Sequence, residues 1–369
     1  MSDPLRHVKP AVRALEAYTL AARQAPIKIN QNENPFELPE AMKRRVLERV
    51  MARPWGRYPE FDPRELTSAL AEAAGWRPEG VLAGNGSNEM IEALLLVTVG
   101  AGTRVVIPEP TFTLYALMTS ILGGEAVRVP LGPDLEYDVE VISEARRRRE
   151  AALTIVCSPN NPTGGLLARE DVARLCREGD GLVVIDEAYH EFSGESVVPL
   201  LREHANLVVL RTFSKAMSLA GLRVGYLLAN PDLVREVDKA RLPYNINFFS
   251  QVAALAALEE KAELDLNVAR LVRLRGALMA DLQRMRGIRP YPSRANFILV
   301  EIEAGDPRAV FESLYAEGVL VRDVSSYPRL GRCLRLTVGT EAENAALLEG
   351  LGRALAREQP RPVAAREAT

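Results

Sequence analysis

The chain has 369 residues, 47% of them hydrophobic, and a formal net charge of -3. That length supports a large core and two domains, and the near-balanced charge excludes a broad basic surface for nucleic acid. Cys157, Cys176 and Cys333 lack CxxC spacing and His7, His190 and His204 form no HExxH, which argues against a disulfide frame and a metal centre. The opening stretch carries no apolar leader and no apolar run is long enough for a bilayer. The expectation is a soluble, cytoplasmic protein with no membrane partner.

In chain order, the segment to about Asn34 has a broken pattern and ends in the loop-like "NQNENPFELPE". Helical periodicity begins near Pro39 and again in "PRELTSALAEAAG" (63–75), with Pro at its start and Gly at its end. From Val81 onward, short β-branched runs alternate with helical patterns. "TRVVIP" (103–108), "LTIVCS" (153–158), "LVVID" (182–186), "LVVLRT" (207–212) and "RVGYLL" (223–228) are apolar rather than alternating. Strands covered on both faces read this way, so an α/β domain with a mainly parallel sheet is expected. The basic run Arg146–Arg149 ends a polar segment and reads as a solvated helix end rather than an anion site. Residues from about Ser250 to Arg286 show helical spacing. "NFILVEI" (296–302), a helical stretch, "VLVRD" (319–323) and "CLRLTVG" (333–339) follow as a smaller α+β unit. The expected division is 1–40 joining the small domain, 41–270 as the large domain, 271–358 as the small domain, and 359–369 as a polar tail.

Ligands in open α/β sheets sit beyond the carboxyl ends of strands, so the residues after each apolar run carry the search. "LTIVCS" leads into "PNNPTGG", with Asn161. "LVVID" closes on Asp186, followed by Tyr189. "LVVLRT" ends on Thr212 and leads into Ser214 and Lys215, with Arg223 shortly after. Earlier, "LAGNGSNEM" is a Gly-rich turn opening a helix at Ser87 and Asn88, whose N–H groups could cup an anion. Lys215 is conspicuous because the chain uses lysine at only five other positions (9, 28, 43, 239 and 261) and arginine elsewhere. Each feature has a plainer explanation: the turn as an ordinary helix cap, Asp186 as a cap or an arginine's partner, Asn161 as a turn residue. Their convergence on one crevice is what favours function.

One cofactor uses the whole set. Pyridoxal 5'-phosphate needs a lysine for its Schiff base, a carboxylate at its pyridine nitrogen, donors to its phenolate oxygen and a phosphate cup. Lys215 would supply the imine and Asp186 the carboxylate. Asn161 and Tyr189 would be the phenolate donors, and Thr212, Ser214 and Arg223 would join the cup. Arginine could not replace Lys215, having no amine that forms a carbon–nitrogen double bond.

"SPNNPTG", "IDEAY" and "RTFSKAMSLAGLRVGY" together resemble the fold-type I, class II aminotransferases, and within them the histidinol-phosphate aminotransferase family, from about Val12 to the last helix. The resemblance implies a homodimer in which Tyr58, in "WGRYPE", reaches the other copy's cofactor phosphate, and a stacking role on the pyridine ring for Phe112. Without it, both would read as core or interface aromatics. It further implies that Arg335 and Arg322, with Tyr18, grip the substrate's phosphate, and that the same arginines hold the carboxylate of glutamate or 2-oxoglutarate in the second half-reaction. Lys215 would be the catalytic base. Arg322 could instead pair with Asp323. Related families transaminate aromatic amino acids, decarboxylate threonine phosphate, or serve as sensors in transcription regulators. The last would need a DNA-binding domain, for which no room exists before Val12.

Overall fold

The computed structural model describes residues 3–15 and 23–358. Tyr18 and the tail 359–369 lie outside the described residues. Among those described, the strands in chain order are β1 (Ile27–Lys28), β2 (Val81–Gly84), β3 (Arg104–Glu109), β4 (Glu125–Pro130), β5 (Leu153–Cys157), β6 (Leu182–Asp186) and β7 (Leu207–Thr212). They continue with β8 (Gly225–Ala229), β9 (Ile288–Pro290), β10 (Phe297–Ile302), β11 (Val319–Leu320), β12 (Arg322–Asp323) and β13 (Cys333–Thr337).

Seven of these strands form a sheet in the order β2-β8-β7-β6-β5-β3-β4. Every neighbouring pair is parallel except the two made by β8. The apolar runs have a direct explanation, because successive side chains meet different cores. Val183, Ile185 and Val209 belong to one cluster, and Val184, Val208 and Leu210 to another on the opposite face. Helices Glu40–Met51, Arg64–Ala74 and Phe248–Glu259 contribute to the first, and Ser87–Thr98, Leu114–Leu122 and Pro231–Asp238 to the second. Each fully buried Val, Leu or Ile contributes about 1.5–3 kcal/mol. Strand β4 is different: it lies at the sheet edge, and its alternating "EAVRVP" leaves Glu125 and Arg128 in solvent.

A second sheet, ordered β12-β13-β10-β9, is antiparallel throughout, and β1 pairs with β11 in parallel beside it. The N-terminal segment is therefore stitched to the C-terminal part of the chain. Their shared core draws on helices Lys261–Arg284, Pro307–Ala316 and Glu341–Glu358. The long helix Lys261–Arg284 joins the two cores: Leu264 packs in the large-sheet cluster, Val268, Leu271, Leu278 and Leu282 in the other. Position 270 falls inside it.

Two readings gain detail and one needs correction. The apolar spacing from Ser250 to Arg286 is two helices, Phe248–Glu259 and Lys261–Arg284, broken at Glu260. "VLVRD" is two short strands in different sheets, since the chain leaves β1 at Val321 to pair with β13. In the basic run, Arg147, Arg148 and Arg149 are exposed, but Arg146 is buried and donates to the carbonyls of Leu175 and Gly181. It anchors helix Val139–Arg148 rather than ending it in water. Among the described residues, no helix is long and apolar enough to cross a membrane.

Candidate active site

The carboxyl ends of β5, β6 and β7 open into a cavity of about 430 Å³ that also receives residues 30–33 and the edge of the small sheet. Ser87, Asn88, Phe112, Asn161, Asp186, Tyr189, Thr212, Ser214, Lys215, Arg223, Arg322 and Arg335 all line it. Tyr58 does not: it is 80% exposed and stacks on Tyr244, ring centroids 4.5 Å apart.

Lys215 follows β7 through Phe213 and Ser214, and its Nζ donates to the Gln31 carbonyl at 2.8 Å. Burial, then the nearby Arg335 guanidinium, lowers its pKa to about 8. A substantial neutral fraction near physiological pH makes it a usable nucleophile and base. Asp186 ends β6 and is 3% exposed. Burial raises its pKa to about 6, against the opposing influence of the Tyr115 hydroxyl and the Ala188 N–H. Tyr115 donates to Oδ2 at 2.6 Å and Ala188 to Oδ1 at 3.0 Å. Tyr189 accepts from Asn32 Nδ2 at 2.9 Å, which leaves its own hydroxyl proton for another acceptor.

At one end of the cavity a polar cradle is assembled from three loops. Arg223, in the left-handed region at φ 56°, donates to Ser214 Oγ at 3.2 Å, and Thr212 Oγ1 donates to the same oxygen at 3.0 Å. Opposite them lies the start of helix Ser87–Thr98, whose first N–H groups have no intrahelical acceptor. Gly86 sits at φ 87°, and a Cβ there would stand 2.4 Å from Arg223 Nη2. A Cβ on Gly225 would stand 2.1 Å from the Ser87 nitrogen. The cradle closes only because both positions are glycine.

At the other end, Arg335 donates to Asn161 Oδ1 and to the Asn30 carbonyl, both at 2.6 Å. The Asn161 oxygen being taken, its amide nitrogen remains as donor. Arg322 and Arg335 are direct cross-strand partners on β12 and β13. Like charges so placed repel unless an anion lies between them. Asp323 does not neutralise Arg322; its carboxylate accepts the Ser325 N–H at 2.8 Å.

Tyr115, Cys157 and Tyr327 are wall residues that the sequence reading missed. Tyr115 lies one helical turn beyond Phe112, its ring edge-on to it, which is the only signal the sequence offered. Asn32, at φ 55°, bonds Tyr189, while Thr337 Oγ1 donates to its Oδ1 at 3.0 Å. Asn30, Gln31, Glu33, Cys157 and Tyr327 also line the cavity.

A buried amine and acid, a donor-rich cradle and a paired-guanidinium end suit a molecule carrying an aldehyde, a basic ring nitrogen and a phosphate, together with a second anion. Comparison with known proteins agrees. Residues 25–351 match the family model described as aminotransferase class I and II. The histidinol-phosphate aminotransferase of Chlorobium phaeovibrioides is 38% identical over 351 residues, covering 95% of this chain and 97% of that one. The enzyme of the same name from Chlorobaculum tepidum is 39% identical over 344 residues, covering 93% and 98%. The crystal structure of histidinol-phosphate aminotransferase from Sinorhizobium meliloti in complex with pyridoxal-5'-phosphate superposes with a TM-score of 0.85 at 26% identity, covering 95% of this chain and 98% of that one. The chain has the fold-type I architecture and belongs to the class I and II aminotransferases.

Proposed function

We propose that the chain is a histidinol-phosphate transaminase of histidine biosynthesis, exchanging an amino group between L-histidinol phosphate and 2-oxoglutarate with pyridoxal 5'-phosphate as cofactor. The observation that carries the substrate assignment is the cross-strand pair Arg322 and Arg335 in the same cavity as Lys215 and Asp186. Two guanidiniums suit a dianionic phosphate better than a single carboxylate. Full-length relatives of that name support the same reading.

When bound, the cofactor supplies an electron sink for the charge left at the substrate's Cα. Asp186 would hold the proton on its ring nitrogen, and the Asn161 amide and Tyr189 hydroxyl would bond its ring oxygen. Thr212, Ser214, Arg223 and the N–H groups of Ser87 and Asn88 would hold its phosphate, and Phe112 would cover the ring face. The Lys215 amine, neutral in a useful fraction because of its lowered pKa, would take the proton from the substrate's Cα and act as its carrier. Arg335 and Arg322, with Tyr18, hold the substrate phosphate in one half-reaction and a carboxylate in the other.

The reading includes a large domain (41–270) and a small one (271–358 with 1–40), and a homodimer in which Tyr58 reaches the other copy's cofactor phosphate. The exposure of Tyr58 together with Trp55, Phe61, Leu242 and Tyr244 supports such an interface.

A substrate panel on the cofactor-loaded protein, followed by the cofactor's absorbance, tests the assignment. Histidinol phosphate is expected to exceed phenylalanine in kcat/KM by about 10²-fold or more. A preference for phenylalanine, or carbon dioxide release from O-phosphothreonine, overturns it.

A further inference from the structure

The acid at the centre of the site has a partner that the chemistry above does not use. Tyr115, on helix Leu114–Leu122, is fully buried, and its hydroxyl sits 2.6 Å from Asp186 Oδ2. The other carboxylate oxygen takes the Ala188 N–H, so the fold supplies Asp186 with two donors and, among the described residues, no salt bridge. The groups that face Asp186 come from several elements: Tyr115, Cys157 on β5, Tyr137 behind it, Glu187 and Tyr189 on its own segment, and Lys215 after β7. Of these, Tyr115 donates a hydrogen bond to the carboxylate; Tyr137 is turned to the Cys157 carbonyl instead.

Burying a carboxylate favours its neutral form, and hydrogen bonds to the charged form oppose that. A neutral Asp186 could not hold a protonated ring nitrogen, because it would offer no charge to match. Burial also drives the Tyr115 phenol well above its ordinary pKa, so it stays protonated and remains a donor at any working pH. We infer that Tyr115 is a positioning residue, whose hydroxyl keeps Asp186 ionised and fixed for the pyridine nitrogen of the cofactor. This rests on the pyridoxal-phosphate reading. Tyr115 also stands edge-on to Phe112, with centroids 5.6 Å apart, so one side chain braces both the acid and the ring-stacking residue.

The experiment measures pyridoxal 5'-phosphate binding to cofactor-free protein from pH 5 to 9, for wild type, Tyr115→Phe, Asp186→Asn and the double variant. Phe keeps the ring and its contact with Phe112. Tyr115→Phe is expected to weaken binding about tenfold or more at neutral pH, and to move the acid limb of the binding profile to higher pH. The double variant is expected to bind no more weakly than Asp186→Asn alone, because Tyr115 acts through that acid. Should Tyr115→Phe not fold, 3-fluorotyrosine at position 115, a stronger donor of nearly the same shape, is expected to move the acid limb to lower pH. A Tyr115→Phe profile matching wild type overturns the inference, as does additive loss in the double variant or a fluorotyrosine profile that does not move. Those results leave the cofactor reading intact if wild type still forms a borohydride-trappable adduct at Lys215. A wild-type chain that takes up no cofactor overturns both.

Discussion

Asp186 and Glu187 are consecutive acids, both buried, at the end of the same strand, yet their surroundings are opposite. Asp186 faces the cavity and has only neutral donors around its carboxylate. Glu187 turns to the far side, where Arg211 pairs with it at 2.9 Å, and the Val197 N–H and Ser196 hydroxyl fill its remaining acceptor sites. Arg211 is itself closed by the Ser196 Oγ at 2.8 Å. Behind the strand, charge is neutralised within the fold. On the cavity side, Lys215, Asp186 and Arg322 lack a salt bridge among the described residues. A closed pair serves stability; an open charge costs stability and is kept for a ligand.

Substitutions can break this contrast. The largest effect is expected from Lys215→Ala: cofactor still binds, but single-turnover transamination falls by more than about 10⁴-fold. Turnover near wild type would remove the amine from the chemistry. The two acids should then separate cleanly. Glu187→Ala strands a buried guanidinium and is expected to lower unfolding stability by about 3–5 kcal/mol in denaturant titrations, while the folded fraction still binds cofactor. Asp186→Asn is expected to cost about 10²–10³-fold in rate, with the opposite effect on the cofactor-free fold. Because the folded pKa of Asp186 is raised, its contribution to stability is present below its unfolded pKa and lost as pH rises through about 6. Asp186→Asn should therefore unfold at higher denaturant than wild type at pH 7.5, an advantage that disappears near pH 4. Equal behaviour of the two acid variants would erase the distinction.

A smaller effect sharpens it. The Lys215 pKa is lowered, so the neutral amine that attacks an aldehyde grows about tenfold per pH unit up to about 8 and then levels off. Stopped-flow capture of pyridoxal 5'-phosphate by cofactor-free protein should follow that curve. A rate still climbing steeply toward pH 10 would mean an ordinary surface-like lysine.

The cavity side was the more legible of the two in the sequence. Doubly covered strands write themselves as apolar runs, and the residues that follow them sit together because parallel strands end together. Lys215, Asp186 and Asn161 could thus be read from local spacing. Tyr115 could not, since a phenol that meets an acid 71 residues away looks like any core aromatic on an apolar helix. Arg146 hid in a basic run because helix phase, not composition, decides which arginine turns inward. Asn32 lay in a loop with no period to give it a direction. Edge strand β4, charged and alternating, lacked the apolar signature of its neighbours.

Lys215 and Arg335 rest on the carbonyls of two consecutive residues, Gln31 and Asn30. A short length of main chain near the N-terminus thus occupies two of the cations that a reacting molecule must win. An aldehyde arriving at the lysine displaces one peptide oxygen, and an anion arriving at the arginine competes for the other. Amide exchange along residues 29–33 is accordingly a direct reporter of how far loading has gone, without any label on the ligand.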